Sequence, residues 1–440
     1  MRLSDELGRP LRVPKATMSI LIVGGSGFIG SRLVKALRAQ GEHVMTSTRT
    51  PAATDGELYI DFSRAGLSST LVHSLRDIEV VVNAVGILRE RGAQTFEQLH
   101  WRGPQSLFDA SAAAGVRRII QISALGAAAG RSRYFTSKQQ ANEYLAMMDL
   151  EWTIIEPAIV YGRDGRSAAL FTALASLPLI PVPGSGKQRL QPVHIDDVTD
   201  AIVAIICQRR SVRQHVPLAG PRVVSLREFL AVLRTGMRLP PARFVGIPLS
   251  LAVAAAHLVQ LHPRSLLGPA TLSMLEAGNT GDPDPLRRLL GRPSRSVDNF
   301  IDDVSCAAVR LQARLGWIAP LLRLTVAIMW IWTAAVSLGL YPTSASYDLL
   351  ARVGVTGPLA ALLLYGAAML DLSLGIATLM IRARWLWAVQ VLVIALFTTI
   401  ISIGIPEYWL HPFGPIVKNL PLMASIGVLW AVEEARTWNT

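Results

Sequence analysis

SILIVGGSGFIGSRLVKALRAQGEHVMTSTR, residues 19–49, decides the fold. The apolar run Ile20 to Val23 is short and closed by glycine, as a buried strand is, and FIGSRLVKALRAQ behind it is a helical stretch. Glycine recurs at 24, 27 and 30 in GxxGxxG spacing, and at 25, 27 and 30 in GxGxxG spacing. A second β-rich run, HVMTSTR, ends about twenty residues further on. Strand, glycine turn, helix and strand in this order define a turn in which backbone approaches a ligand closely. Glycine permits the tight bend, and the helix N-terminus presents amide donors and a positive dipole end to a pyrophosphate. Gly24, Gly27, Phe28, Ile29 and Gly30 are therefore expected to hold a dinucleotide.

The second strand sets the flavour of that ligand. An acid at its end would bond the 2′-hydroxyl of NAD, whereas an arginine accommodates the 2′-phosphate of NADP. Here the strand ends in Thr48 and Arg49 with no acid, so NADP is expected over NAD.

Beyond it the β-rich runs ELYI, VVVN, RRIIQIS and WTIIEP alternate with helical stretches, which predicts a doubly wound parallel sheet. Ligands collect at the carboxyl ends of such strands. Asp61 follows the third run, Asn83, Ala84, Val85 and Gly86 follow the fourth, Ser123 ends the fifth and Pro157 closes the sixth. Eleven residues after Ser123 stands Tyr134, in the stretch RYFTSKQQANEYL, where Tyr134 and Lys138 are four apart and share a helix face. Beside a dinucleotide turn and a strand-end serine, Ser123, Tyr134 and Lys138 are the expected catalytic set.

Residues near 185–310 are less regular and read as a smaller substrate-side subdomain. Within it FVGIPLSLAVAAAHLVQL, 244–261, is apolar yet borderline for a bilayer span, and an interfacial or buried helix is expected.

The last third differs in kind. Apolar stretches near 320–340, 358–381, 385–405 and 416–432 predict four membrane spans. Only 17% of the chain is charged, below the roughly 25% of soluble domains. Residues 320–440 hold only six of the 43 basic and five of the 31 acidic residues, so all but one of the net +12 charges reside in the rest. No Lys/Arg-rich run marks a nucleic-acid partner. Arg310, Arg314 and Arg323 flank the first span and Arg382 and Arg384 fill the second link, while the other loops carry Arg352 and Lys418 alone. The positive-inside rule then puts both termini in the cytoplasm. Most of the tryptophans near the span ends are expected to be interfacial anchors. Cys207 and Cys306 have no metal-ligand spacing and fit a reducing compartment. Residues 1–17 contain no apolar run of secretory-leader length and Met18 opens straight into a strand, so they are expected to be a disordered extension or a mis-assigned start.

Over Ser19 to Asp200 the chain resembles the extended and atypical short-chain dehydrogenase/reductases. The resemblance rests on GGSGFIG, the NAVG turn, Ser123, the Tyr134/Lys138 pair, and EPAIVYG followed by LQPVHIDDVTDAI. It is similar to the branch that contains the nucleotide-binding accessory subunit of respiratory complex I. Two departures stand out: Glu156 where arginine is usual, and His100 in LHWRG where the family has asparagine. The resemblance implies that Tyr134 exchanges the substrate proton, Ser123 holds the substrate oxygen, and Lys138 lowers the tyrosine pKa and binds the nicotinamide ribose.

The C-terminal third, with HPFGPIVKNLPLM at 411–423, resembles the DoxX-like membrane family, whose members have four helices. His411 and Lys418 are either functional groups at the membrane boundary or anchors. The expected organisation is a dinucleotide-binding domain over 18–240, a subdomain and linker over 241–318, and a four-helix transmembrane domain over 319–435. The expected activity is that of a multi-pass inner-membrane NAD(P)-dependent oxidoreductase, its nucleotide domain in the cytoplasm, acting on a lipid-like carbonyl or alcohol or a quinone. A non-catalytic NADP-binding assembly or redox-sensing protein and an NAD-dependent epimerase or dehydratase are the alternatives.

Overall fold

The computed structural model describes residues 17–50, 54, 56–63, 69–130, 132–260 and 267–437. Of the expected extension at 1–17, all but Thr17 lies outside them. The chain forms two compact units, Met1–Ala313 and Arg314–Thr440.

The first unit is built on a seven-stranded parallel sheet. Its strands are β1 (Ser19–Val23), β2 (His43–Thr48), β3 (Glu57–Tyr59), β4 (Val80–Asn83), β5 (Arg118–Ile122), β6 (Glu151–Pro157) and β11 (Gln214–Leu218). They lie in the order β11-β6-β5-β4-β1-β2-β3. Ile20 aligns with Val44 on one side and Val80 on the other. Strands β4 and β5 are buried throughout, which is why they read as unbroken apolar runs. Successive side chains of β1 serve opposite faces. Ile20 and Ile22 pack with α1 (Phe28–Ala39), α6 (Ile195–Cys207) and α10 (Asp284–Leu290), while Leu21 and Val23 pack with α2 (Ser69–Ser74), α3 (Gly103–Ala114) and α4 (Arg133–Met147).

Short strands complete the unit: β7 (Val160–Tyr161), β8 (Ile180–Pro183), β9 (Arg189–Leu190), β10 (Val193–His194), β12 (Val224–Ser225) and β13 (Phe244–Ile247). With α5 (Arg166–Ser176), α7 (Leu226–Gly236), α8 (Leu249–Val259) and α9 (Pro269–Ala277) they form the less regular portion. The HIDDV segment is structural here. His194 caps α6 by accepting from the Asp196 amide at 3.2 Å, and buried Asp197 accepts from Arg292 and the Arg295 amide, each at 2.7 Å. Glu156 accepts from His215 across the β6–β11 pair at 3.0 Å.

The second unit contains α12 (Thr343–Arg352), α13 (Pro358–Met380), α14 (Arg384–Gly404) and α15 (Asn419–Thr437), and takes up most of α11 (Cys306–Ala335). Among the described residues three helical segments are long and apolar enough to cross a membrane: Cys306–Leu340, Pro358–Met380 and Arg384–Gly404. The expected fourth span at 416–432 is corrected. Turns occupy 412–413 and 415–418, Gly414 between them takes φ +50°, and the apolar helix runs only over Asn419–Glu433. The link after the first span also holds a helix, α12, in place of a loop.

Two expected interfacial anchors, Trp330 and Trp387, are buried. Trp330 Nε1 donates to Gln390 Oε1 at 2.8 Å, and Gln390 Nε2 donates to Thr378 Oγ1 at 3.0 Å. Arg323, expected to flank a span, is buried against Trp387 at 5.2 Å. Its guanidinium donates to the carbonyls of Thr378 and Ile381 and pairs with Glu433, which also accepts from Trp387 Nε1 at 2.7 Å. An arginine inside an apolar bundle persists only with its donors satisfied, and these partners supply that.

Candidate active site

The glycine turn has the shape a dinucleotide requires. Gly24 takes φ +84°, where a side chain is strained, and its amide donates to Ser47 Oγ at 3.0 Å. At Gly30 a Cβ would lie 2.2 Å from the Gly24 carbonyl oxygen, so only glycine lets α1 start so close to β1. Gly27 is the N-cap of α1 and has no capping side chain, which leaves first-turn amides for an anion. This cradle fits the pyrophosphate of a nicotinamide dinucleotide. At the end of β2, Arg49 is exposed, and Thr48 Oγ1 accepts from the Thr50 amide at 3.2 Å. Asp61 Oδ1 accepts from the amide and hydroxyl of Ser63, at 2.9 and 2.6 Å.

A cavity of about 550 Å³ opens from the turn. Gly27, Phe28, Ile29, Ala84, Val85, Gly86, Ser123, Tyr134, Lys138 and Pro157, all singled out from sequence, line it together. Gly24, Gly30, Thr48, Arg49, Asp61 and Asn83 do not. Asn83 is fully buried: it donates to Gln121 at 2.8 Å and accepts from the Val85 amide at 3.2 Å, thereby setting the turn whose next three residues reach the cavity.

Ser123 Oγ accepts from Asn142 Nδ2 at 2.9 Å, which leaves its own O–H free to donate. Lys138 Nζ donates to the carbonyls of Ile122 (3.0 Å) and Val85 (3.2 Å), so two strand ends fix it and one donor remains. Tyr134 meets the rings of His100, Phe135 and Phe96 edge-on, with centroids 5.2, 5.3 and 5.8 Å away. Burial pushes the Tyr134 hydroxyl up to about 12 and the Lys138 ammonium down to about 8.

His100 was legible only as a departure; its geometry was not. Residues Glu97–Arg102 form a π-helical segment ahead of α3, and His100 is buried in it. Its Nε2 accepts from the Ile87 amide at 3.0 Å, which makes Nδ1 the protonated nitrogen, 3.1 Å from Ser137 Oγ. Burial, with the Lys138 charge adding, pushes its pKa down to about 2. The ring is neutral and holds the loop after β4. Asn142 and Asn279 were also missed. Asn279 lies on the cavity wall, accepting from the Ile159 amide at 2.7 Å and donating to the Leu125 carbonyl at 3.2 Å.

Fold and site together define a Rossmann-type nucleotide-binding unit followed by a unit of apolar helices. Residues 20–219 match the NAD dependent epimerase/dehydratase family and residues 327–427 match the DoxX-like family. The chain thus carries an NAD(P)-binding domain of the epimerase and short-chain dehydrogenase type and a C-terminal DoxX-like domain. It is 27% identical over 190 residues to a ceramide reductase of Caulobacter vibrioides, covering 42% of this chain and 60% of that protein. It is 28% identical over 249 residues to the mitochondrial NADH dehydrogenase (ubiquinone) 1 alpha subcomplex subunit 9 of Arabidopsis thaliana, covering 53% and 61%. The chain therefore spans about 60% of the length of these curated relatives. The fold is similar to that of an NADPH-dependent quinone oxidoreductase of Escherichia coli solved with NADPH, at TM-score 0.53 and 18% identity, covering 64% of this chain and 98% of that one.

Proposed function

We propose that this chain is a membrane-anchored oxidoreductase of the short-chain dehydrogenase type. It uses NADP(H) in preference to NAD(H) and acts on an uncharged, lipid-like carbonyl or alcohol, or on a quinone. One observation carries the reading: among the described residues, Lys138 is the only charged side chain on the cavity wall. The other polar side chains there are Ser123, Tyr134, Ser167, Thr271 and Asn279, and the remainder is apolar or glycine. With Lys138 held by two carbonyls, such a wall offers a diphosphate-linked sugar a single cation and favours a hydrocarbon body with one polar head. The ceramide reductase relative supports the same substrate class. The spanning helices support a place in the inner membrane with the nucleotide-binding unit in the cytoplasm.

Reduction of a carbonyl needs a hydride, which the dihydronicotinamide supplies when bound, and a proton at oxygen. Ser123 Oγ–H, held by Asn142, donates to that oxygen and positions it. Tyr134 Oη gives the proton, and the Lys138 ammonium favours the resulting phenolate by its charge. The hydrogen bonds to the Ile122 and Val85 carbonyls hold that charge at the wall of the cavity that Tyr134 also lines.

The test is NADPH oxidation by the purified full chain with long-chain keto-sphingoid, sterol-type and quinone acceptors. Tyr134→Phe should lower turnover about 10²- to 10⁴-fold and leave NADPH binding intact. A second reading, nucleotide binding without turnover, draws on the high Tyr134 pKa and on the complex I subunit relative. It wins if bound NADPH persists through all acceptors, or if Tyr134→Phe turns over at the wild-type rate.

A further inference from the structure

Helix α8 has two apolar faces. Ala252, Ala255, Ala256 and Val259, at spacings of three and four, line the cavity. Leu251, Ala254 and Leu258 point the other way, and Leu251 and Leu258 are 60% and 70% exposed. No residue of LSLAVAAAHLV carries an acid, lysine or arginine, and His257 Nδ1 is turned back to the Val253 carbonyl at 2.9 Å. A helix apolar all round belongs in a core or in a membrane. At about 1.5 Å per residue its eleven residues reach roughly 16 Å, half of a hydrocarbon core. It cannot span, so the surface that would cover its outer face is the headgroup–acyl boundary of a bilayer.

The surroundings favour the same occupant. Leu249, Val245 on β13 and Leu179 beside β8 extend the exposed apolar surface, and the β8–β13 pairing sets Ile180, the residue after Leu179, opposite Phe244. The Arg89 guanidinium donates to the Gln260 carbonyl, bringing exposed Leu88 to the C-terminal end of α8. Leu88, Val259 and Leu267 are each exposed and part of the cavity lining, so apolar side chains stand at the rim of the cavity. Exposed Arg243 lies next to it, and exposed Arg227 sits over the Phe244 ring at 4.9 Å, a charge complement for anionic headgroups. The same chain continues into helices that can cross a membrane, so a bilayer is within reach.

We infer that the outer face of α8 seats in an anionic phospholipid monolayer, and that the cavity takes its substrate from that monolayer between α8 and the Leu88 loop. The second half of this inference rests on the lipid-like substrate proposed above; the first half stands without it.

The experiment uses the full chain in nanodiscs of phosphatidylcholine and phosphatidylglycerol, in a Cys207→Ser background. An environment-sensitive fluorophore is attached at Leu251→Cys, at Leu258→Cys and, for comparison, at Ala146→Cys, an exposed site at the far end of α4. Seating in the monolayer predicts blue-shifted emission at the first two sites. It also predicts roughly threefold stronger quenching there by nitroxide-bearing lipid than at Ala146. Replacing phosphatidylglycerol by phosphatidylcholine should weaken the difference. Emission and quenching equal to those at Ala146 would overturn the inference. So would a blue shift without lipid quenching, since that places a second copy or another protein segment over α8. Neither cofactor nor substrate enters this measurement, so an inactive protein can still pass it. If α8 seats but the enzyme reduces no acceptor, the substrate proposal fails alone.

Discussion

Lowering the pH from 8 to 5 should loosen the loop after β4, and His100 is the cause. Its Nε2 must be unprotonated to accept from the Ile87 amide at 3.0 Å. Burial holds its pKa near 2 in the folded protein against 6.5 when the segment opens. A base with its folded pKa depressed contributes stability that is fully present above the open-state value and is lost as the pH falls below it. At pH 8 the contribution is intact. At pH 5 the open state binds a proton and the closed state does not. The difference of about 1.5 pH units below 6.5 corresponds to about 2 kcal/mol, or roughly a 30-fold rise in the opening constant.

Hydrogen–deuterium exchange of the full chain, corrected for the intrinsic pH dependence of exchange, measures that constant at Ile87 and its neighbours. Wild type should open about 30 times more readily at pH 5 than at pH 8. His100→Asn keeps a polar group without a titrating ring, and its opening should be nearly independent of pH. A wild-type ratio below about 3, or an equal ratio in His100→Asn, refutes the reasoning. Either result would mean that another group governs the loop.

Arg49→Asp should weaken NADPH binding about tenfold or more while NADH is less affected, as isothermal titration with each would show; equal losses point to misfolding. Gly30→Ala forces a Cβ to 2.2 Å from the Gly24 oxygen, an overpacking strain of about 1–3 kcal/mol that should appear as lost dinucleotide affinity in the same titration. Glu433→Gln leaves the buried Arg323 without its counter-charge and should destabilise the helical unit by about 3–5 kcal/mol, read as a lower melting midpoint in detergent. In that assay Arg323→Gln combined with Glu433→Gln should recover part of the loss.

The dinucleotide turn was legible because everything it needs is local: three glycines, one strand and one helix start within twelve residues. The convergence of Ser123, Tyr134 and Lys138 was legible too, since strand ends of a doubly wound sheet gather at one edge. The apolar wall was not. It draws on segments from Phe28 to Leu275, and no window of sequence holds the pairing of β8 with β13 that helps to bring them together. Nor could local pattern tell Trp330 and Trp387 from surface anchors, because their partners Gln390 and Glu433 stand 60 and 46 residues away. The fourth span was misread for a related reason: Ile416 and Val417 are apolar, but Gly414 and the turns around it delay the helix to Asn419.

The two departures from the short-chain dehydrogenase pattern both leave the charge of the cavity wall unchanged. His100 takes over a buried position with every ring nitrogen engaged, so it changes how the loop is held and adds no charge to the cavity. Glu156 removes a cation from the sequence position where arginine is usual, and its carboxylate is engaged by His215 outside the cavity lining. A substrate bearing two phosphates would then enter a wall whose single ammonium is already committed to two carbonyls. Taking such charges out of water without partners costs several kcal/mol per ion on the order-of-magnitude scale of buried charges, more than one neutral hydrogen bond from Ser167 or Asn279 returns. An uncharged chain pays no such penalty and gains by displacing water from the same surface. The composition of the wall is therefore what supports the proposed apolar substrate over a sugar nucleotide.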